Sequence, residues 1–270
     1  GSTVPFIARY RKEATGGLDD AVLRDLQERL VYLRELEDRR GSILESIESQ
    51  GKLTPELKAA IEKAENKQTL EDLYLPYKPK RRTRAQIARE AGLQPLADAI
   101  LENRQAVPEE LAAAYLNAEH QINDTKAALD GARDILAEQF SENAALLALL
   151  RKRLNSEGAI RAAVVPEKAS EAIKFQDYFE HQEPLSSTAS HRMLAMLRGR
   201  EQGFLTLKVD LPEVWEAENP RTPHPFESEI ARLHGVERED SPRGKFMNEV
   251  CRWTWKIKLA STLESEVIGT

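Results

Sequence analysis

The stretch DAVLRDLQERLVYLRELEDRRGSILESIESQ, residues 20–50, decides the fold class. Leu23, Leu26, Leu30, Leu33, Ile43 and Ile47 recur at the spacing of one helical face, which predicts one long helix over residues 20–50, packed on other helices through that face. Asp20 with Arg24, Asp25 with Arg29 and Glu35 with Arg39 are acid-before-base pairs four apart, each contributing roughly a few tenths of a kcal/mol and marking a solvated face. A coiled-coil partner surface is the other use of such a helix, but Arg39, Arg40 and Gly41 interrupt the heptad seam.

Working outward, Thr54 followed by Pro55 is an N-cap and first-turn proline, opening a second helix that runs to about Ala64 and packs back on the first. Thr69 opens a short helical turn through Tyr74. Thr83 to Gln86 has the capping-box pattern, Gly92 is placed to end that helix, and Pro95 restarts another toward Leu101. This reads as helix-turn-helix-like, with Ala88 and Gly92 small enough for a tight crossing. The second helix, residues 94–102, offers almost no side chains that read base edges, so operator recognition is not expected. Residues 108–116, 124–140 and 141–154 are three further helical patterns, expected to form a small bundle. Residues 159–165 and 205–211 carry strand patterns and are expected to form at most a small two-stranded β element. Between them, residues 166–179 and 190–197 read as helical, the latter ending in Arg198-Gly199-Arg200. Residues 227–233 and 242–270 return to helix. The fold class is mainly α.

Composition sets the remaining limits. With 270 residues, 41% hydrophobic and 31% charged, the chain can bury a core under a solvated surface, and 13 Gly and 13 Pro leave little room for long linkers. The longest apolar run, residues 144–150, is far short of the ~20 residues that span a bilayer, and no signal segment opens the chain, so no membrane partner and a cytoplasmic location are expected. Cys251 is the only cysteine, which excludes an internal disulfide and a Cys-x-x-Cys zinc site; it reads as a small buried hydrophobe. Gly1-Ser2 has the form of a cleaved-tag remnant and the last helical pattern stops at Thr270 without a cap, so the chain is expected to be a fragment.

Chemistry-bearing patterns are sparse. His120, His181, His191, His224 and His234 fall at no metal spacing. Gly244-Lys245 lacks the glycine-rich loop and hydroxyl of a phosphate-binding loop, and there is no G-x-S-x-G elbow. Arg198-Gly199-Arg200 fits either a phosphate clip or a helix end flanked by arginines. Trp253 and Trp255 fall on opposite sides of the last helix, one as a core anchor and one toward a missing neighbour. No cofactor and no enzymatic activity are expected.

One local segment stands out. In LPYKPKRRTR, residues 75–84, two prolines hold the backbone extended while Lys78, Lys80, Arg81, Arg82 and Arg84 come without an acidic neighbour, and Arg89 extends the patch. Guanidinium forks there can meet phosphates, with Tyr74 and Tyr77 beside them to stack on an unpaired base. Alternatively, the prolines and tyrosines pack a connector onto the helices while the charges stay in water or meet an acidic protein surface. Net charge is −6, so any nucleic-acid contact must be local.

TVPFIARYRKE (residues 3–13), LEDLYLPYKPKRRTR (70–84) and KFQDYF (174–179), together with Glu183-Pro-Leu185, Ser190-His-Arg192 and Leu197-Arg-Gly-Arg200, resemble bacterial Tex-type transcription accessory proteins over essentially the whole chain. The family is itself similar to the core of a eukaryotic transcription elongation factor that also chaperones histones. The resemblance implies a division into long N-terminal helices (1–68), a helix-turn-helix-like bundle (69–156) and a mixed, mostly helical region (157–270) leading toward an RNase H-like domain. It also implies further helix-hairpin-helix and OB-fold domains, the latter supplying most nucleic-acid binding, and some tens of residues before Thr3. It implies nucleic-acid partners, RNA or DNA without sequence preference, and transcription machinery, but transfers no catalytic residue. The expected phosphate contacts are Arg9, Arg11, Lys12 and the patch from Lys78 to Arg89. The competing expectation is an interaction scaffold whose basic segment docks other domains or transcription partners.

Overall fold

A computed structural model describes residues 20–269, and the chain divides after Pro79 into two compact units. In the first, α1 (Asp20–Ser49) is the expected long helix. α2 (Pro55–Lys63) begins where Thr54 Oγ1 accepts the Leu57 N–H at 3.1 Å, with Pro55 in the first turn. α3 (Lys67–Tyr74) starts two residues before Thr69, because Asn66 rather than Thr69 is its cap, its side chain accepting from Thr69 N at 2.8 Å.

The three helices share a core of Leu36, Ile43, Ile47, Ile61, Leu70 and Tyr74. Arg39 and Arg40, read as interruptions of a seam, are instead its clamps. Arg39 makes a bidentate pair with Glu71 at 2.6 and 3.0 Å, and Arg40 donates to the carbonyls of Ile61 and Glu62 at the end of α2. Of the expected apolar face, Leu23, Ile43 and Ile47 are buried, whereas Leu26, Leu30 and Leu33 are 54%, 49% and 40% exposed; the core shared with α2 and α3 takes in α1 from Tyr32 onward.

The second unit is built around α7 (Thr125–Ser141), whose N-cap Asp124 accepts from Ala127 N at 2.7 Å. Packed against it are α4 (Arg84–Glu90), α5 (Gln94–Glu102), α6 (Pro108–Ala112), α12 (Pro242–Trp253) and a π-helical turn, Thr254–Leu259. Between α4 and α5, Gly92 takes φ +84° and the Leu93 N–H returns to the Ala88 carbonyl at 3.1 Å, a left-handed helix end that glycine adopts without strain. The close crossing involves Ala88, as expected, but its small partner is Gly131 of α7, where a Cβ would run into Leu93 and lie 3.2 Å from Ala88 Cβ. α8 (Ala144–Glu157) starts at Asn143, not at Ser141, which still belongs to α7.

The β element is larger than expected. β1 (Ala159–Val164) pairs antiparallel with β3 (Leu205–Asp210), and a third strand, β2 (Glu180–Pro184), lies on its other edge, giving the order β2-β1-β3. The EHQEP sequence of β2 has no apolar alternation to reveal it; it is a polar edge strand held by backbone pairing to β1. Residues 166–179 form two 3-10 pieces, Pro166–Lys168 and Ile173–Tyr178, rather than a helix, since the connection must return the chain from β1 to an adjacent antiparallel strand. Ile160, Ala162, Leu205, Leu207 and Val209 are buried beneath α9 (Ser190–Glu201) and α13 (Ala260–Ile268). α9 runs through Gly199, which faces Leu205, and its turn comes at Gly203 with φ +77°. Gly199 is therefore not the helix cap, although Arg198 and Arg200 do stand in the last turn of α9, and Arg200 donates to the Ile268 and Gly269 carbonyls that close α13. The short α10 (Pro212–Glu216) and α11 (Pro225–Leu233) precede α12. Trp255 is the expected core anchor, edge-on to Phe226 at 5.1 Å, while Trp253 carries the Arg133 guanidinium 3.8 Å above its ring.

Candidate nucleic-acid interface

The basic segment crosses the division between the units, so its parts are best followed separately. In the first unit, Leu75–Tyr77 form a single 3-10 turn. The Tyr77 ring is packed against the helical core, and its carbonyl accepts from Gln50 Nε2 at 2.9 Å, so the tyrosine works as packing. Lys78 is exposed, and its charge helps Arg39 hold the Glu71 carboxyl below its ordinary value. The Arg39 hydrogen bond is the largest effect there and burial opposes it.

In the second unit, Thr83 fixes the start of α4. Its hydroxyl accepts from Gln86 N at 3.1 Å and donates to Glu138 Oε2 of α7 at 2.9 Å. Arg89, on the next turn, donates to Glu138 Oε1 at 2.8 Å and to Gln94 at 3.0 Å. The Lys80 ammonium is 3.6 Å from Glu138 Oε1 and pairs with Glu142, which caps the end of α7. A hydroxyl, a guanidinium and an ammonium thus converge on one carboxylate whose side chain is only 8% exposed.

The electrostatics follow from that geometry. Burial disfavours the charged form of Glu138, but the hydrogen bonds from Arg89 and Thr83 and the charges of Lys80 and Arg89 outweigh it, holding the carboxyl below its ordinary value. Burial pushes the Lys80 ammonium below its ordinary value; Glu138 opposes this, whereas the charges of Arg89 and Lys258 add to it. Lys258, on the π-helical turn, therefore lies near enough for its charge to act on Lys80.

The segment's positive charge is therefore not uniformly available. Lys80 and Arg89 are engaged with α7 carboxylates, which the sequence order had hidden. Arg82 pairs with Glu90 at 2.5 Å in an exposed contact. Arg84 is exposed, and its charge reaches Asp134, whose carboxyl burial pushes above its ordinary value against the pull of Arg133 and Arg84. Arg81 is exposed and makes no ion pair among the described residues. Arg9, Arg11 and Lys12 lie outside the described residues.

Glu138, Glu142 and Lys258 were missed from sequence. For Glu138 a signal existed: it falls among Ala128, Gly131, Ala132 and Ile135 on the buried stripe of α7, where a carboxylate demands a cation. Lys258 carried no such signal, since only the packing of the π-helical turn on α7 brings it near Lys80.

Elsewhere, histidines serve structure. His224 Nδ1 accepts from Phe226 N at 3.0 Å and its Nε2 lies 2.7 Å from Asp210; His181 Nε2 lies 2.6 Å from Glu183. Burial pushes the Cys251 thiol up to about 12, which suits a core residue and not a nucleophile.

A family model described as Tex central region-like matches residues 103–270, and one described as Tex-like protein N-terminal domain matches residues 1–48. The chain belongs to the Tex family. "Protein tex" of Bordetella pertussis is 60% identical across the whole chain, which corresponds to 34% of that protein. "Transcriptional accessory protein Tex" of Neisseria gonorrhoeae is 52% identical, again over all of this chain and 34% of its own length. The human "S1 RNA-binding domain-containing protein 1" is 29% identical over 99% of the chain and 28% of its own length. The chain thus spans about a third of the two Tex proteins and 28% of the human protein. Its basic segment lies between the two matched Tex stretches, and Lys80 within it pairs with Glu142 of the central one.

Proposed function

We propose that this chain is the scaffold portion of a transcription accessory factor, holding nucleic acid through its phosphates without reading sequence and catalysing no reaction itself. The observation that carries this reading is the presentation of Arg81 and Arg84: both are exposed on a short segment whose neighbours Lys80, Thr83 and Arg89 are pinned to α7. Pinning lowers the entropy lost when such side chains meet a strand. Arg82 can join them, since its exposed pair with Glu90 contributes only about 0–1 kcal/mol and a phosphate can replace the carboxylate. Sequence-independence is supported by α5, whose Leu96, Ala97 and Ile100 are buried and whose Gln94 is already bonded to Arg89 and Asp98. The names of the relatives, transcriptional accessory and RNA-binding, support the same class of partner.

The test is fluorescence anisotropy at low salt with labelled oligonucleotides of unrelated sequence. Similar affinities for all of them are expected, with a loss of about ten-fold or more in Arg81→Glu/Arg84→Glu, since two contacts of about 1 kcal/mol each are replaced by repulsion. Undetectable binding by a folded protein at low salt would contradict the reading. A second reading, that the segment docks acidic protein surfaces, is favoured by one observation: Lys80 and Arg89 already hold carboxylates. On that reading Arg81→Glu/Arg84→Glu weakens capture of a partner protein and leaves oligonucleotide binding unaffected.

A further inference from the structure

We infer that Glu138 and Glu142 are internal stand-ins for nucleic-acid phosphate, occupying Lys80 and Arg89 in the free protein and yielding them to a bound strand. This rests on the phosphate-contact reading above and adds its regulation: the interface is partly masked by its own carboxylates.

Three features of the cluster lead there. The donor set gathered on Glu138, namely Thr83 Oγ1 at 2.9 Å, Arg89 Nη1 at 2.8 Å and Lys80 Nζ at 3.6 Å, is a hydroxyl, a guanidinium and an ammonium, the groups that bind phosphate oxygens. The masking is incomplete, since the Lys80 and Arg89 side chains keep 29% of their surface in water, and the positive charge of Lys258 acts on Lys80 from the π-helical turn. Finally, Glu142 is poorly placed for any other purpose. It sits at the C-terminal end of α7, where the helix's partial negative charge disfavours a carboxylate, so its pairing with Lys80 is what holds it there. Arg89 keeps its bond to Gln94 while exchanging one oxygen for another, so the exchange requires no rebuilding of α4.

The experiment is anisotropy of a labelled oligo(dT) with the whole chain across a salt series, comparing wild type with Glu142→Gln and Glu142→Ala. Glu138→Gln is a secondary variant because its buried site puts folding at risk. Glu167→Gln, a change in an exposed acid outside the cluster, controls for net charge. Unmasking predicts affinity about five-fold tighter for both Glu142 variants, with the slope of log K against log salt steeper by up to about 0.7 for one more phosphate contact. Glu167→Gln should change neither. If Glu142 variants match wild type while Arg81→Glu/Arg84→Glu still loses binding, masking is wrong and the phosphate reading survives. Equal tightening by Glu167→Gln would reduce the effect to net charge and overturn the inference. If none of the proteins binds, both fall together.

Discussion

His234 shows how much one side chain can be made to carry. Its Nδ1 donates to the Ile230 carbonyl at 2.8 Å and its Nε2 is 3.2 Å from Asn143 Nδ2, so the neutral ring has a donor and an acceptor both in use. It stacks on Phe140 at 3.9 Å, and burial pushes its value below the ordinary histidine range, with the Ile230 hydrogen bond opposing. A depressed folded value means that the stability contributed is full above about pH 6.5 and is lost as pH falls through the folded value, because the unfolded chain takes up the proton first. Thermal unfolding between pH 7.5 and 5.5 should therefore show a loss of stability in wild type that is smaller in His234→Phe. Equal pH dependence in the two proteins would refute that role. The same side chain illustrates what sequence hides. His234 was legible only as a histidine outside metal spacing, because its partners at 140 and 143 are brought to it by packing.

Among the elements, α7 decides the second unit. An alanine at Gly131 would ordinarily raise helix stability by about 1 kcal/mol. Here the new methyl meets Leu93, which is fully buried and has nowhere to move, and closes on Ala88. Overpacking of about 1–3 kcal/mol should outweigh propensity, so Gly131→Ala is expected to lower the urea midpoint. A higher midpoint would mean that the crossing is looser than the geometry shows. Elements with strong periodicity or caps were readable: α1, α2 from Thr54-Pro55, α4 from Thr83, and the alternation of β3. β2 was not, since an EHQEP edge strand owes its shape to β1. Nor was the full run of α9, where Gly199 is selected by contact with Leu205 rather than by the need for a turn.

At the scale of the whole molecule, two compact units meet in sequence inside a basic segment, in a chain of net charge −6. The segment was legible as a phosphate candidate, because five cations within residues 78–84 are uncommon in an acidic chain. Its division into exposed and engaged cations was not, because Glu138 and Glu142 lie more than fifty residues downstream. What distinguishes a phosphate-binding scaffold from a self-paired connector is counterion release. The most direct measurement is the salt dependence of single-stranded oligonucleotide binding by the whole chain. Two to four phosphate contacts predict a linear plot of log K against log salt with a slope of about −1.4 to −2.8. A slope near zero, with binding retained at high salt, would contradict it.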